Sequence, residues 1–192
     1  MIAGEGHIVG ALVLAAGSSR RMGVAKLALP IGGLPMIAAT LAVVTAAGLP
    51  MLMVTGAHAK AVRSATPGVP SVHARDHALG LSESLKVGLA AAPADWDAVL
   101  VVLGDMPFVQ PETLLALAAA LKAGSAAVVP VEAGRRGNPA GFARAVWPAL
   151  MALSGDQGAR PLLDGLDGLG GAEVPVNDAG IHRDIDVPGD LP

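Results

Sequence analysis

Apolar runs separated by glycine and proline divide this chain into short alternating elements. Ile8 to Leu14 is continuously apolar and predicts a buried parallel strand. The run from Asp97 to Leu103 is aliphatic and rich in valine, the pattern of a central parallel strand. Shorter strands are predicted at Met51 to Val54, Ser71 to His73 and Ala126 to Val131, with weaker ones at Glu173 to Val176 and Ile181 to Ile185. Between them the spacing predicts helices over Pro35 to Ala47, His58 to Ala65, Gly80 to Ala92 and Pro111 to Lys122. Pro111 suits a first helical turn, and Gly124 falls just past the end. Gly134 to Gly141 reads as a loop. Arg144 to Leu153, interrupted by Pro148, reads as a short or broken helix, and Gly158 to Leu166 as a further one. This alternation predicts an α/β fold of three layers, Rossmann-like, with a mostly parallel central sheet covered on both faces.

Met36 to Val54 is nearly all apolar, and no charge occurs between Lys26 and Lys60, so a hydropathy window would flag a membrane span. Gly48-Leu49-Pro50 interrupts it, ending a helix and starting a strand. A βαβ unit is therefore expected, with no membrane association. The 192 residues suit a single domain, 1–192. The net charge of -3 and 2% aromatics argue against a nucleic-acid partner, which would want a basic face or stacking platforms. The chain has no cysteine, hence no thiol nucleophile and no zinc–thiolate site. The N-terminus lacks a basic n-region, so no signal peptide is read and a cytoplasmic protein is expected.

Two strand ends carry candidate chemistry. After the first strand come Leu14, Ala15, Ala16 and Gly17, then Ser18 and Ser19, then Arg20, Arg21 and Lys26. A small-residue loop lets backbone N–H groups approach a ligand closely, and cations just downstream suit phosphate oxygens. A nucleoside triphosphate loop is one reading; an ordinary strand-to-helix turn with surface arginines is the other. Neither a P-loop nor a dinucleotide fingerprint is present. Asp105, in Leu103-Gly104-Asp105-Met106-Pro107, follows the strongest strand directly. A carboxylate there, facing a phosphate loop, is where Mg²⁺ would sit, since magnesium takes oxygen ligands from carboxylates and phosphates. A helix cap is the alternative, but Pro107 and Pro111 set the next helix several residues on. His73 and His77 are four apart, yet they flank a strand and loop with no third ligand nearby.

The stretch from Leu14 to Lys26, followed by Leu29-Pro30-Ile31-Gly32-Gly33-Leu34-Pro35, resembles the nucleotidyltransferases of the molybdenum cofactor cytidylyltransferase type. Gly104-Asp105-Met106-Pro107 and Asp184-Ile185-Asp186-Val187-Pro188 match further motifs of that family, the latter departing at Val187 and Gly189. So do Gly80-Leu81-Ser82-Glu83-Ser84-Leu85, Arg136-Gly137-Asn138-Pro139, with asparagine where the family has histidine, and Gly155-Asp156 to Arg160.

The resemblance implies a nucleotidyltransferase fold and transfer of CMP from CTP to the pterin phosphate of the molybdenum cofactor, releasing pyrophosphate. It implies Mg²⁺ or Mn²⁺ on Asp105 and Asp186, with Arg21, Lys26 and Asp105 as catalytic groups. Leu14 to Ser19, Arg21, Lys26, Ser82 and Ser84 would contact the nucleotide. Asn138, Asp156 and Arg160 would face the second substrate. A molybdoenzyme or its chaperone would be a downstream partner. Two alternatives stand beside it: a sugar or alcohol phosphate as acceptor, and a non-catalytic protein that binds and delivers the cofactor. CTP is expected over GTP because Ala16 stands where the resembling guanylyltransferases have glycine.

Overall fold

The computed structural model describes residues 7–19, 24–156 and 158–186. Strands β1 (Ile8–Ala15), β4 (Met51–Thr55), β5 (Ser71–His73) and β6 (Trp96–Leu103) fall where the apolar runs predict them. So do β7 (Ala127–Glu132) and β10 (Ala172–Pro175). They join in one sheet of order β10-β7-β9-β6-β1-β4-β5, where β9 is Ala140–Ala143; β8 (Arg135–Arg136) pairs with β7 outside that path. The β1–β4, β1–β6, β4–β5 and β7–β10 pairs are parallel, whereas β9 runs antiparallel to both β6 and β7.

Period-two alternation sends each central strand into two cores. Val9, Ala11 and Val13 of β1 and Ala98, Leu100 and Val102 of β6 bury on one face. Leu12, Leu14, Val99 and Val101 bury on the other. The first face is covered by α1 (Met36–Ala46), α2 (Ala59–Ala65) and α4 (Pro111–Lys122), through Ile37, Leu41, Val62, Leu114 and Leu117. The second is covered by α3 (Leu81–Ala91) and α5 (Trp147–Met151), through Leu85, Leu89, Trp147 and Leu150, with α6 (Arg160–Asp164) packed beside them. This is the expected three-layer arrangement. α1 is only 11 residues long, and among the described residues no helix is long and apolar enough to cross a membrane.

Two expectations are corrected. Residues 134–141 are not simply a loop: they contain β8 and open β9, which wedges between β6 and β7. Gly141 permits this close fit, since a Cβ there would lie 2.7 Å from both Leu100 and Val128 side chains. Ile181 to Ile185 is not a strand. A 3-10 helix spans Ala179–His182, and the segment makes isolated backbone bonds in place of a ladder: Asn138 N–H to the Ile181 carbonyl (2.9 Å) and Ile185 N–H to the Asp105 carbonyl (3.1 Å). The Pro30–Ile31 and Leu34–Pro35 stretches form an additional small hairpin, β2 and β3, after the first loop.

Gly10 lies in β1 beneath the indole of Trp96, and a Cβ at that position would come within 2.2 Å of the ring. Trp96 is buried and cannot tilt away without opening the core. Gly10→Ala is therefore expected to destabilise the protein by about 1–3 kcal/mol through overpacking. Urea unfolding measures this, and an unchanged midpoint would contradict the packing described.

Candidate active site

The order of the sheet creates the site. The chain moves outward from β1 to β4 and β5, then returns to place β6 on the other side of β1. The crevice at the carboxyl ends of β1 and β6 is thus a topological switch point, where open α/β sheets bind ligands. The loop leaving β1 is braced from the next strand. Ala57 N–H donates to the Ala16 carbonyl (3.3 Å), and Gly56 sits so close that a Cβ would lie 2.5 Å from that oxygen. The His58 ring meets the Ser18 carbonyl at 3.1 Å. Ser19 takes a left-handed backbone (φ 50°), and its hydroxyl accepts from Lys26 N–H at 3.3 Å.

Asp105 is held as firmly. Gly104 N–H donates to the Leu14 carbonyl (3.0 Å), tying the two strand ends together, and the Thr40 hydroxyl donates to the Gly104 carbonyl (3.0 Å). Lys26, on a 3-10 turn with buried Leu27, points its ammonium between two carboxylates. Nζ lies 2.7 Å from Asp105 Oδ2 and 3.0 Å from Asp186 Oδ1. Burial opposes the charge on Lys26, but Asp105 and then Asp186 outweigh it, so its pKa rises above the ordinary 10.5. The other carboxylate oxygen, Asp105 Oδ1, is buried and has no hydrogen-bond partner among the described residues.

Around this trio opens a cleft of about 510 Å³. Leu14, Ala16, Gly17, Ser18, Ser19, Lys26, Ser84, Asp105, Asp156 and Asp186 line it. Ala15 is buried, and so is Ser82, whose hydroxyl has no hydrogen-bond partner among the described residues. Arg20 and Arg21 lie outside the described residues. His77 and Ala78 also line the cleft. They lie just before the Gly80–Leu85 motif. Leu14, Leu81 and Leu103 form a shared wall with a second cavity of about 480 Å³. Asn138 and Arg160 line this second cavity, while Asp156 faces the first. Arg136 also lines it, but its guanidinium is engaged by Glu173 (2.7 Å) and the Leu163 carbonyl (2.8 Å).

A small-residue loop, a lysine and two carboxylates, one at a strand end, thus surround adjoining cavities. The profile of the MobA-like NTP transferase domain matches residues 11–169. The chain belongs to the MobA-like NTP transferase family. Purine catabolism protein PucB of Bacillus subtilis is 31% identical over 193 residues, covering 95% of this chain and 93% of that protein. Bifunctional protein GlmU of Geobacter sulfurreducens is 30% identical over 141 residues, 71% of this chain. The chain spans only 29% of that GlmU's length.

Among solved structures, Rv0371c of Mycobacterium tuberculosis superposes with a TM-score of 0.85 at 30% identity, covering 96% of each chain. The same protein has been solved as a complex with manganese (TM-score 0.82, 30% identity, 95% of each chain). A nucleotidyl transferase from Methanothermobacter follows at 0.79 and 28%, covering 96% of this chain and 94% of that one. These solved structures share the α/β fold and its mostly parallel sheet.

The Lys26 ion pairs carry a pH signature. Because the folded pKa lies above 10.5, their stabilisation is fully present below that value and is lost as pH rises through the folded pKa. Lys26→Met is expected to be less stable than the parent protein at pH 8, with the gap closing above pH 10.5. Urea midpoints between pH 8 and 11.5 test this, and a gap constant across that range would contradict it.

Proposed function

We propose that this protein is a nucleotidyltransferase that moves CMP from CTP to the phosphate of the molybdenum cofactor's pterin and releases pyrophosphate. The observation that carries the reaction class is the Lys26 ammonium lodged between Asp105 and Asp186 at the mouth of the first cleft. It marks a position where a cation is held by two carboxylate oxygens. The orphaned Asp105 Oδ1 provides a further oxygen donor there. This donor set fits Mg²⁺ or Mn²⁺, which are commonly bound by one or two carboxylates plus substrate phosphates. Asp105 and Asp186 would hold the ion, and when bound it would neutralise phosphate charge and orient the reacting groups. The family resemblance at these positions and the manganese complex of the mycobacterial relative support that reading.

In the reaction, an acceptor phosphate oxygen forms a bond to the α-phosphorus of CTP, and the α–β phosphoanhydride bond breaks, with its electron pair leaving on pyrophosphate. The attacking group is already an anion, so the chain need not supply a nucleophile or a strong base. Its residues position the partners and cancel charge. The backbone of residues 16–19 would cradle the triphosphate, with Lys26 and Arg21 stabilising the departing pyrophosphate. Asn138 and Arg160 in the adjoining cavity would receive the acceptor, with Asp156 at the edge of the first cleft. A sugar or alcohol phosphate acceptor is the second reading, favoured by the GlmU likeness over 71% of the chain. Pyrophosphate release with Mg²⁺, each nucleoside triphosphate and each acceptor class decides between them, and no release with any combination would favour a non-catalytic binder.

Asp105→Ala removes a ligand from a strand end and not from the core. The variant is expected to stay folded by circular dichroism while kcat falls about 100-fold or more. Full Mg²⁺-dependent activity in this variant would defeat the assignment.

The base preference rests on Ala16, a cleft-lining residue braced against Gly56. On this reading its methyl would narrow the space available to a purine, and one methyl in a pocket is worth about 1–3 kcal/mol. Ala16→Gly is expected to lower the CTP-to-GTP ratio of kcat/KM by roughly ten-fold. Equal kcat/KM for the two nucleotides in the parent protein would refute the preference.

A further inference from the structure

Asp178 is an acidic residue only 2% exposed, lines neither cavity and has no part in the chemistry above. Its two oxygens are fully engaged. Oδ2 accepts from Gln110 N–H (2.8 Å) and from the Thr113 hydroxyl (2.7 Å), and Oδ1 accepts from Gly180 N–H (2.9 Å). Gln110 caps α4, and Thr113 is in its first turn, so the carboxylate also meets the favourable end of the helix dipole. A buried carboxylate is retained where hydrogen bonds of this kind compensate its desolvation.

What this anchor fixes is the strap from Asp178 to Asp186. Gly180 packs against the Phe108 carbonyl so tightly that a Cβ would lie 2.1 Å away. The Arg183 guanidinium lies 3.9 Å from the centre of the Phe108 ring. Ile181 receives Asn138 N–H on its carbonyl (2.9 Å) and packs against Gly137, which has no room for a Cβ. Ile185 is buried and donates its N–H to the Asp105 carbonyl (3.1 Å). Asp186 follows, 3.0 Å from Lys26. One segment thus touches the loop that holds Asp105, the edge of the second cavity at Asn138, and the shared cation position.

We infer that Asp178 is a positioning residue: its buried carboxylate pins the strap to the start of α4 and so holds Asp186 opposite Asp105 and Asn138 at the wall of the second cavity. The inference rests on the reading of Asp105 and Asp186 as the metal-holding pair. Partners that orient metal ligands in this way influence affinity without touching the ion.

The test uses Mn²⁺ alone as probe, with binding followed by electron paramagnetic resonance on the full chain. Parent protein, Asp105→Ala, Asp178→Asn and Thr113→Val are compared. Asp178→Asn, which preserves shape but cannot accept at every contact, is expected to weaken Mn²⁺ binding by roughly 10–100-fold. Amide exchange at Ile185 and Asn138 should accelerate with it, while exchange in β1 and β6 stays slow. Thr113→Val, which deletes a single donor to the same oxygen, should shift both readouts in the same direction by less, and covers the case in which Asp178→Asn fails to fold. Parent-like Mn²⁺ affinity in the folded Asp178 or Thr113 variant, beside lost affinity in Asp105→Ala, overturns the positioning role alone. Parent-like affinity in Asp105→Ala, or no binding by the parent protein, overturns the metal reading and this inference with it.

Discussion

Two carboxylates drawn toward one point need a cation between them, and that requirement organises the mouth of this protein's cleft. Asp105 and Asp186 both reach the Lys26 ammonium, from positions 79 and 160 residues away along the chain. In a partly buried setting, unscreened repulsion between them would be costly, and the lysine offsets it at the expense of its own desolvation. Everything around the trio keeps the three groups in register. Gly104 clamps the end of β6 to the end of β1, Thr40 holds the Gly104 carbonyl from α1, and the strap brings Asp186 in from the far side.

The same constraint explains why the site lies where it does. Parallel strands place all their carboxyl ends on one edge, and the reversal of direction around β1 leaves those of β1 and β6 uncovered by a crossover helix. The antiparallel β9 extends that edge. It inserts between β6 and β7, and the turn that leads into it carries Gly137 and Asn138 to the second cavity. The two cavities share Leu14, Leu81 and Leu103 in their lining, so they adjoin. That adjacency is the geometric condition for direct transfer between two bound substrates.

Most of this was legible in the chain because the relevant signals are local. Continuous apolar runs marked the parallel strands, and Pro111 and Gly124 bracketed α4. Lys26 and Asp105 were readable from their place just after strands. The failures concern interactions that no local window contains. β9 is four residues long and includes Gly141, so its alternation was too brief to register, and its pairing is decided by the gap between β6 and β7. Ile181 and Ile185 suggested a strand, but their backbone bonds go to two separate loops instead of one neighbour. Asp178 carries no local signal in the sequence. Its partner Thr113 is 65 positions away, and only the folded chain brings them together. Among the cleft residues, His77 and Ala78 were missed because they line it from a 3-10 turn, a geometry with no sequence period of its own.

The lysine's position bears on how the proposed chemistry would be organised. A single ammonium cannot neutralise two carboxylates and a triphosphate from the same place. Lys26 is engaged by both Asp105 and Asp186, and its raised pKa follows from those contacts outweighing its burial. Were Asp105 and Asp186 to hold a divalent ion, as proposed, their charge would no longer need the lysine to offset it. The nearest remaining anions would then be the phosphates lying along residues 16–19, and the Lys26 backbone is already tied to that loop through Ser19. The exchange needs only a swing of a flexible four-carbon stem, with no movement of the sheet. On this view, the pairing of Lys26 with the two aspartates and its proposed role on the triphosphate are successive uses of one charge. The two carboxylates would stay compensated in both states, which is what allows them to remain close together in a partly buried cleft.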